Sequence, residues 1–319
     1  MTVDARPAFA PRRLRKPLVS VVMTAYNEAH VIREALDTLL AQTYPRVEVI
    51  VVDNGSTDGT SDIARSYRSR VRSLRLRRNT GPGGGRNAGA RMARGDILIF
   101  IDADMVFDKR YVAGLIAPVV GGKAIGAFHD REIVKNRHRL WARSFSINRV
   151  EHPAKTSGVF RAVLRKPFLA IGGFDTSRGY FDDDLSALGV SVRAHAMCYH
   201  NNPERLGEIL RHSRWVGRSL IQDPAKRRFT TLAVVGSWAC IALVAVMAPL
   251  RPLISVSLIV AAVAILAAFL LYKGLTRAIR DGYPEFLITV PVVWIVRLCG
   301  YWLGASAQLL RGDRDRARA

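Results

Sequence analysis

The chain has 319 residues, 48 Lys and Arg against 26 Asp and Glu, and a formal net charge of +22. This length allows one full hydrophobic core and a smaller second region. The positive charge favours an anionic partner, such as a membrane surface or a phosphorylated substrate. The sequence contains no zinc-ligand spacing, RNA-binding aromatic signature or helix-turn-helix pattern, which disfavours nucleic acid as the partner. Its three widely spaced cysteines predict neither a disulfide framework nor a metal site.

The N-terminal half is predicted to be an α/β domain. Residues 1–17 are rich in Arg and Pro and lack an apolar signal-peptide core, which predicts a disordered basic leader. From 18 to 203, "LVSVVMTAY" is predicted as a strand, "NEAHVIREALDTLLAQ" as a helix and "VEVIVVDNGS" as a second strand. "TDGTSDIARSYRS" is predicted to begin the next helix, with Asp58 or Thr60 as its N-cap. This alternation predicts a mainly parallel sheet with flanking helices.

Two acids follow a continuously apolar run in "ILIFIDADM" (97–105). Such a run predicts a central strand that is covered on both faces. If the sheet is parallel, Glu28, Asp53 and Asp102 emerge at one edge, where ligands of open α/β sheets collect. Alone, the D-x-D pattern is a weak signal that a solvated turn would also explain.

The glycine-rich stretch 79–96 precedes this strand and is predicted to be a flexible loop at the same edge. It does not match the dinucleotide fingerprint, because Arg86 stands where the third glycine is required. A hydride-transfer enzyme is therefore disfavoured, and a nucleotide bound through its base, ribose and phosphates is favoured.

The sequence resembles family 2 glycosyltransferases, an inverting class that has the GT-A fold and uses nucleotide-activated sugars. The resemblance covers roughly Leu18 to Trp215. It is carried by "VSVVMTAYNE", "VEVIVVDNGSTDGT", "NTGPGGGRNAGARMARGD", "IFIDADM", "IGGFD", "FDDDLS" and "RHSRW". It implies a GT-A type sheet followed by an α-helical membrane region. It also implies a nucleotide-sugar site made of Thr24, Tyr26, Glu28, Asp53, Arg86 and Asp102.

The resemblance further implies Mg²⁺ or Mn²⁺ on the diphosphate of a UDP- or GDP-sugar, with Asp104 and His200 as metal ligands. Inversion needs one general base to deprotonate the acceptor. The family carries this base in an Glu-Asp-x-Asp/Glu-Leu pattern, from which "FDDDLS" departs because Phe181 replaces the first acid. Alignment on the following Asp-Leu assigns the base to Asp182, which we prefer, whereas spacing from "IGG" assigns it to Asp183.

"RHSRW" resembles a signature of membrane-bound members of the family that lines the acceptor and diphosphate region. The resemblance assigns to this region the residues Gly173, Arg211, Arg214 and Trp215. On spacing alone, an ordinary Arg-rich helix is the better explanation of the last three; their position after the acid cluster and before the apolar runs favours the functional one.

The C-terminal part is predicted to be a membrane region over 230–310. Residues 204–229 have apolar positions along one side of a helix among cationic residues, which predicts an interfacial helix. Two uncharged runs, 231–250 and 252–272, are each long enough to span a bilayer. A third segment, 286–310, carries Arg297 and is predicted either to span or to be re-entrant. The second arrangement keeps the basic tail 311–319 in the cytosol.

Together these features predict a metal-dependent inverting glycosyltransferase that transfers a sugar from a UDP- or GDP-sugar to a membrane-associated acceptor. The expected acceptor is a polyprenyl phosphate or a lipid-linked saccharide. The expected location is the plasma membrane, as a multi-pass protein whose catalytic domain lies in the cytoplasm. Two alternatives are a non-catalytic nucleotide-binding scaffold and a nucleotidyltransferase, which would release pyrophosphate.

Overall fold

The computed structural model describes residues 13–145, 161–176, 185, 188 and 191–311. Most of the predicted basic leader, the acids at 182–184 and the tail after 311 lie outside the described residues. The chain divides into two compact units, of which the first comprises Met1–Lys135 and Glu151–Asn201. The second comprises Asn136–Val150 and Asn202–Ala319.

All described strands belong to the first unit. They are β1 (Val19–Ala25), β2 (Val47–Asp53), β3 (Arg72–Arg75), β4 (Ile97–Asp102), β5 (Met105–Phe107), β6 (Gly126–Val134), β7 (Ala162–Leu164) and β8 (Val192–His200). The helices of this unit are α1 (Ile32–Leu40), α2 (Thr60–Ser66), α3 (Gly81–Met92), α4 (Tyr111–Val120) and α6 (Arg165–Ala170). The second unit contains α5 (Leu140–Phe145), α7 (Leu206–Gln222), α8 (Pro224–Leu250), α9 (Pro252–Asp281) and α10 (Phe286–Arg311).

The described strands form one sheet in the order β3-β2-β1-β4-β7-β6-β8-β5. Four of the seven pairings are parallel: β1 with β2, β1 with β4, β2 with β3, and β6 with β8. The strands β5 and β7 pair with their neighbours in antiparallel fashion. The predicted α/β class with a mainly parallel sheet is therefore confirmed, and the antiparallel strands lie in its second half.

β4 is covered on both faces, as its continuous apolar run predicts. Ile97, Ile99 and Ile101 belong to one hydrophobic cluster, which also contains the buried side chains of α1 and α4. Leu98 and Phe100 point to the other face, into a second cluster with side chains of α3 and α6. This burial fixes the position of β4, so the acids that follow it emerge from a rigid element.

The glycine-rich stretch forms helix α3 over Gly81–Met92, and the prediction of a flexible loop is wrong. The helix packs directly on the sheet: a methyl group at Gly85 would come within 3.0 Å of Thr24 Cγ2, and one at Gly89 would overlap Val22. Glycine has a low intrinsic helix propensity. Here its missing side chain lets the helix backbone approach β1, and this packing outweighs propensity.

The start of α2 also differs from the prediction. Gly59, with φ +86°, is the N-cap, and Thr60 is the first helical residue. Asp58 nevertheless contributes to this helix start, because its Oδ1 accepts a hydrogen bond from the Thr60 N–H at 3.1 Å. The left-handed backbone that glycine adopts readily decides the position of the cap.

Three helices of the second unit are long and apolar enough to cross a membrane. They extend over Lys226–Leu250, Pro252–Asp281 and Phe286–Leu310. The amphipathic helix that precedes them, α7, ends at Gln222, so residues 224–229 begin α8 instead of extending an interfacial segment.

We predict that Gly89→Ala destabilises the first unit by about 1–3 kcal/mol, because the added methyl group must displace Val22 from a packed core. Thermal unfolding in detergent measures the effect. Gly236→Ala is the matched control, since an added methyl group there meets nothing within 4 Å. Equal melting temperatures for Gly89→Ala and wild type would contradict close packing of α3.

Candidate active site

The carboxyl ends of β1, β2 and β4 meet at one edge of the sheet. In the parallel register, Ala25 pairs with Asp53 on one side, and Thr24 pairs with Asp102 on the other. The turn after β1 begins at this edge and carries Glu28. Pairing of these three strands therefore brings together acids that are up to 74 positions apart in the chain.

Hydrogen bonds tie the turn after β1 to the turn after β2. The Asn27 N–H donates to Ser56 Oγ at 2.9 Å, and Asn27 Oδ1 accepts from the Thr57 N–H at 2.8 Å. The Glu28 N–H donates to Thr60 Oγ1 at 2.9 Å. These bonds fix the backbone that carries Glu28 and leave its carboxyl group to face the site.

Asp53 is buried at the end of β2. Its Oδ1 accepts a hydrogen bond from the Ser56 N–H at 2.9 Å, and its Oδ2 lies 3.5 Å from Arg75 Nε. Oδ2 makes no hydrogen bond to any described residue. An acceptor held in this way can receive an N–H donor from a ligand.

The next residue, Asn54, holds the start of α3. Its Oδ1 accepts from the Thr80 N–H at 3.0 Å, and its Nδ2 donates to the Gly81 carbonyl oxygen at 2.8 Å. The N-terminal end of the glycine-rich helix is thereby attached to the acid-bearing edge.

Asp102 lies between two arginines. Arg86 Nη2 is 3.0 Å from its Oδ1, and Arg161 Nη1 is 3.4 Å from its Oδ2. Desolvation alone would raise the pKa of Asp102, but the attraction of Arg86 and Arg161 lowers that pKa to about 2. Asp102 is therefore ionised at every physiological pH.

Gly173 packs against Asn87 of α3, next to the residues that hold Arg86 in place. It has φ +84°, and a side chain there would overlap Asn87 of α3. Asn87 Nδ2 donates to the Phe174 carbonyl oxygen, and the Phe174 N–H donates to Asn87 Oδ1, both at 2.9 Å. The Arg86 guanidinium lies 5.6 Å from the centre of the Phe174 ring. Within the first unit, Gly173 thus connects "IGGFD" to α3.

Asp104 and His200 form a carboxylate–imidazole pair. Antiparallel pairing of β5 with β8 places Met105 opposite His200, which brings His200 Nε2 to 3.0 Å from Asp104 Oδ2. Asp104 Oδ1 is buried and makes no hydrogen bond to a described residue. The second oxygen of Asp104 is thus available to a hard divalent cation such as Mg²⁺ or Mn²⁺, and an imidazole is a common ligand of divalent transition metals.

In the part of the chain that the structure describes, the candidate cation site offers two donors, Asp104 and His200. Among the described residues, no group of three or more His, Cys, Asp or Glu side chains is positioned to hold a metal ion. Magnesium usually keeps waters and binds through one or two protein carboxylates together with substrate phosphates. A two-donor site is therefore compatible with a cation that is completed by a diphosphate.

Glu28 faces the other acids of the edge. Burial is the largest cause that raises its pKa, followed by repulsion from Asp104, Asp102 and Asp58; His200 partly offsets these effects. The pKa of Glu28 is raised to about 8, so its carboxyl group is largely protonated at neutral pH.

The remaining predicted residues fall into three groups. Thr24 is buried against α3, whereas Tyr26 is 45% exposed and presents its ring to solvent. Arg211, Arg214 and Trp215 lie on α7, in the second unit. The candidate bases Asp182 and Asp183 lie outside the described residues.

Sequence reasoning missed two residues that hold this site, Asn54 and Arg161. Asn54 could have been found, because an Asn directly after an acid at a strand end is a frequent turn-stabilising residue. Arg161 stands in no motif and has no periodic signal around it, and only its position opposite Asp102 shows that it belongs to the site.

A comparison with known protein families matches residues 20–183 to the family described as "Glycosyl transferase family 2". Among curated relatives, glycosyltransferase AglE of Haloferax volcanii is 42% identical over 110 residues, which are 33% of this chain and 36% of that protein. The succinoglycan biosynthesis protein ExoO of Rhizobium meliloti is 45% identical over 89 residues, which are 28% and 26% of the two chains. The chain thus spans about a third of the length of the curated relatives that it matches.

Among solved structures, the mannosyltransferase PcManGT from Pyrobaculum calidifontis, in complex with GDP-Man and Mn²⁺, has a TM-score of 0.52. It is 20% identical, and the match covers 92% of this chain and 91% of that one. At this level of identity the likeness shows the fold, which is the one predicted from the sequence.

We predict that Glu28→Gln removes a pH-dependent loss of stability. The pKa of Glu28 is about 8 in the folded chain, against an ordinary value of 4.5 that applies to the unfolded chain. Between these two pH values, the folded chain holds a proton that the unfolded chain has lost. Wild-type stability should therefore fall as the pH rises through this window. The melting temperature of Glu28→Gln minus that of wild type, measured in EDTA, should increase from pH 4 to pH 9. A constant difference would contradict the raised pKa.

Proposed function

The chain belongs to glycosyl transferase family 2, and we propose that it is a metal-dependent inverting glycosyltransferase that uses a UDP- or GDP-sugar. The observation that carries the proposal is the single sheet edge at which Asp53, Asp102 and the Asp104–His200 pair occur together. A non-catalytic scaffold does not need a buried carboxylate oxygen that lacks a hydrogen-bond partner and lies among other acids. Without a ligand, such an oxygen lowers the stability of the fold.

In this proposal the nucleotide sugar binds along the edge. Exposed Tyr26 offers a ring face to the base, and Asp53 Oδ2 accepts from an N–H group of the base. Asp102 accepts hydroxyl groups of the ribose or the sugar. Asp104 and His200 would hold Mg²⁺ or Mn²⁺, which would supply positive charge to neutralise the departing diphosphate. Arg86 adds a second positive charge near the phosphates.

The reaction forms one carbon–oxygen bond and breaks another, so that the sugar passes from the diphosphate to the acceptor. An acceptor oxygen attacks the anomeric carbon from the face opposite the diphosphate, the carbon–oxygen bond to the diphosphate breaks, and the acceptor proton passes to a carboxylate. The sequence resemblance assigns that carboxylate to Asp182, with Asp183 as the alternative. The nucleoside diphosphate leaves with its electron pair, and the configuration of the sugar is inverted.

We further propose a membrane-bound acceptor, such as a polyprenyl phosphate or a lipid-linked saccharide. Support comes from the chain order, because a helix with Arg211 and Arg214 on it leads directly into three helices of membrane-spanning length. Cationic side chains at the bilayer surface would pair with the phosphates of such a lipid.

The contacts inside the second unit support two membrane crossings, by α8 and α9. The first half of α10 packs on α9, where Phe269 and Trp294 have ring centres 5.7 Å apart. The second half packs on α7, so closely that a side chain at Gly300 would come within 2.6 Å of Ser213 Cβ.

α7 also carries Glu208, Arg211, His212, Arg214 and Arg218, and a helix of this composition is excluded from a hydrocarbon core. We therefore propose that α10 lies in the interface beside α7. Burial agrees with this proposal. In an apolar 18-residue stretch of each helix, 28% of the stretch is buried in protein for α10, against 6% for α8 and 11% for α9. The tail after α10 would then remain on the side of the catalytic domain.

We predict that membranes containing the protein transfer label from a radioactive nucleotide sugar into a chloroform–methanol extract, with release of UDP or GDP. Asp104→Asn should reduce transfer by at least about 100-fold, because an amide binds a divalent cation more weakly than a carboxylate and the cation would stabilise the leaving diphosphate. EDTA should do the same.

Asp62→Asn is the matched control, since Asp62 is an exposed carboxylate on α2 that pairs with Arg65. Label found only in a water-soluble polymer would contradict the lipid acceptor. Release of pyrophosphate would indicate a nucleotidyltransferase. Equal behaviour of wild type and Asp104→Asn would favour the scaffold.

The topology predicts the labelling of single cysteines in sealed vesicles by a membrane-impermeant maleimide. In a background without native cysteines, Arg280→Cys and Arg316→Cys should react from the same side, and Arg251→Cys from the opposite side. Reaction of Arg316→Cys together with Arg251→Cys would show that α10 crosses the membrane.

A further inference from the structure

Arg161 contacts the candidate donor site at Asp102 and is attracted by a second carboxylate, the buried Glu132 of β6. Its Nη1 lies 3.4 Å from Asp102 Oδ2, and its side chain is 17% exposed. Burial alone would lower the pKa of Arg161, but attraction to Asp102 and then to Glu132 raises it above its ordinary value. The guanidinium thus contacts one carboxylate, Asp102 at the site, and is attracted by a second, Glu132 in the core.

The backbone of Arg161 is fixed between two strands. Its N–H donates to the Ala127 carbonyl oxygen of β6, and its carbonyl oxygen accepts from the Phe100 N–H of β4, both at 2.9 Å. Phe100 is two residues before Asp102. The side chain therefore starts from a rigid position beside the end of β4.

The core carboxylate, Glu132, has a partner of its own. Glu132 is 2% exposed, and its Oε2 lies 3.2 Å from His129 Nε2, while His129 Nδ1 lies 3.1 Å from the Tyr111 hydroxyl. An arginine that served only this buried group would not need to reach the sheet edge. Arg161 does reach it, and occupies the one oxygen of Asp102 that Arg86 leaves.

We propose that Arg161 is a positioning residue of the donor site, which acts through Asp102. One guanidinium on each oxygen fixes the rotation of the Asp102 carboxylate. A carboxylate has about four lone-pair positions, so about two remain to accept hydroxyl groups of a nucleotide sugar. The inference rests on the proposed function and names a residue outside the motifs by which the sequence resembles its family.

The test is binding of UDP-glucose and of GDP-mannose, each with MnCl₂, measured by titration calorimetry on the full chain in detergent. Arg161→Met should weaken binding of the preferred donor by about tenfold or more. Arg161→Lys should recover part of the loss, because it restores the charge but not the planar fork. Arg131→Met, an exposed arginine of β6, is the matched control and should bind like wild type.

A double-mutant cycle separates action through Asp102 from direct contact. In an Asp102→Asn background, Arg161→Met should change the dissociation constant by less than about twofold. An equal loss in both backgrounds would mean that Arg161 contacts the donor itself, and would overturn the inference.

A second pair of variants separates positioning from folding. Arg161→Met alone removes a positive charge that attracts the buried Glu132, whereas Arg161→Met with Glu132→Gln removes both charges. The double variant should regain the wild-type melting temperature and keep the weakened binding. Recovery of both properties would show a purely structural role and would overturn the inference.

The two proposals fail differently. If wild type binds neither donor, the proposed function is wrong and the inference falls with it. If wild type binds one donor and Arg161→Met binds it equally well, the inference alone is wrong.

Discussion

Parallel pairing of three strands forces several carboxylates to one edge of the sheet, and their mutual repulsion is the constraint around which the site is built. Each acid meets this constraint in its own way. Asp53 accepts a backbone N–H and lies near one arginine, Asp102 lies between two arginines, and Asp104 contacts an imidazole. Glu28 has the least compensation, and its pKa rises to about 8. The four acids thus have different partners, and Glu28 and Asp102 also differ in protonation, which allows the acids to have different roles.

The same constraint explains why a cation and a diphosphate suit this edge. A divalent ion beside Asp104 would reduce the repulsion that acts on Glu28, so metal binding and ionisation of Glu28 are expected to support each other. A bound diphosphate would bring negative charge to a place where arginines are already anchored. Arg86 is fixed by Phe174 and Asn87 from one side, and Arg161 is fixed by the strands on the other. The positive groups are therefore in position before the ligand arrives, which limits reorganisation when charge moves to the leaving group.

Much of this arrangement could be predicted from the sequence, because apolar runs such as the one in β4 identify buried strands and the acids follow them directly. The glycine-rich segment could not, since local propensity argues for a loop while Gly85 and Gly89 are needed for contact with β1. Arg161 could not be predicted from the sequence, because its role depends on a partner 59 positions away and on no local pattern. The position of α10 was left open by composition, which reports hydrophobicity but not the neighbours of a helix. Its contact with α7 supplies the argument that composition lacks.

The proposed activity depends on one divalent cation that binds at this edge through Asp104 and His200 together with a nucleoside diphosphate. Anomalous diffraction at the manganese edge, from crystals grown with MnCl₂ and UDP or GDP, tests it most directly. We expect one strong peak within coordination distance of the Asp104 carboxylate and the His200 imidazole, with the diphosphate beside it. A peak bound elsewhere on the chain, with the nucleotide away from the ends of β1, β2 and β4, would contradict it.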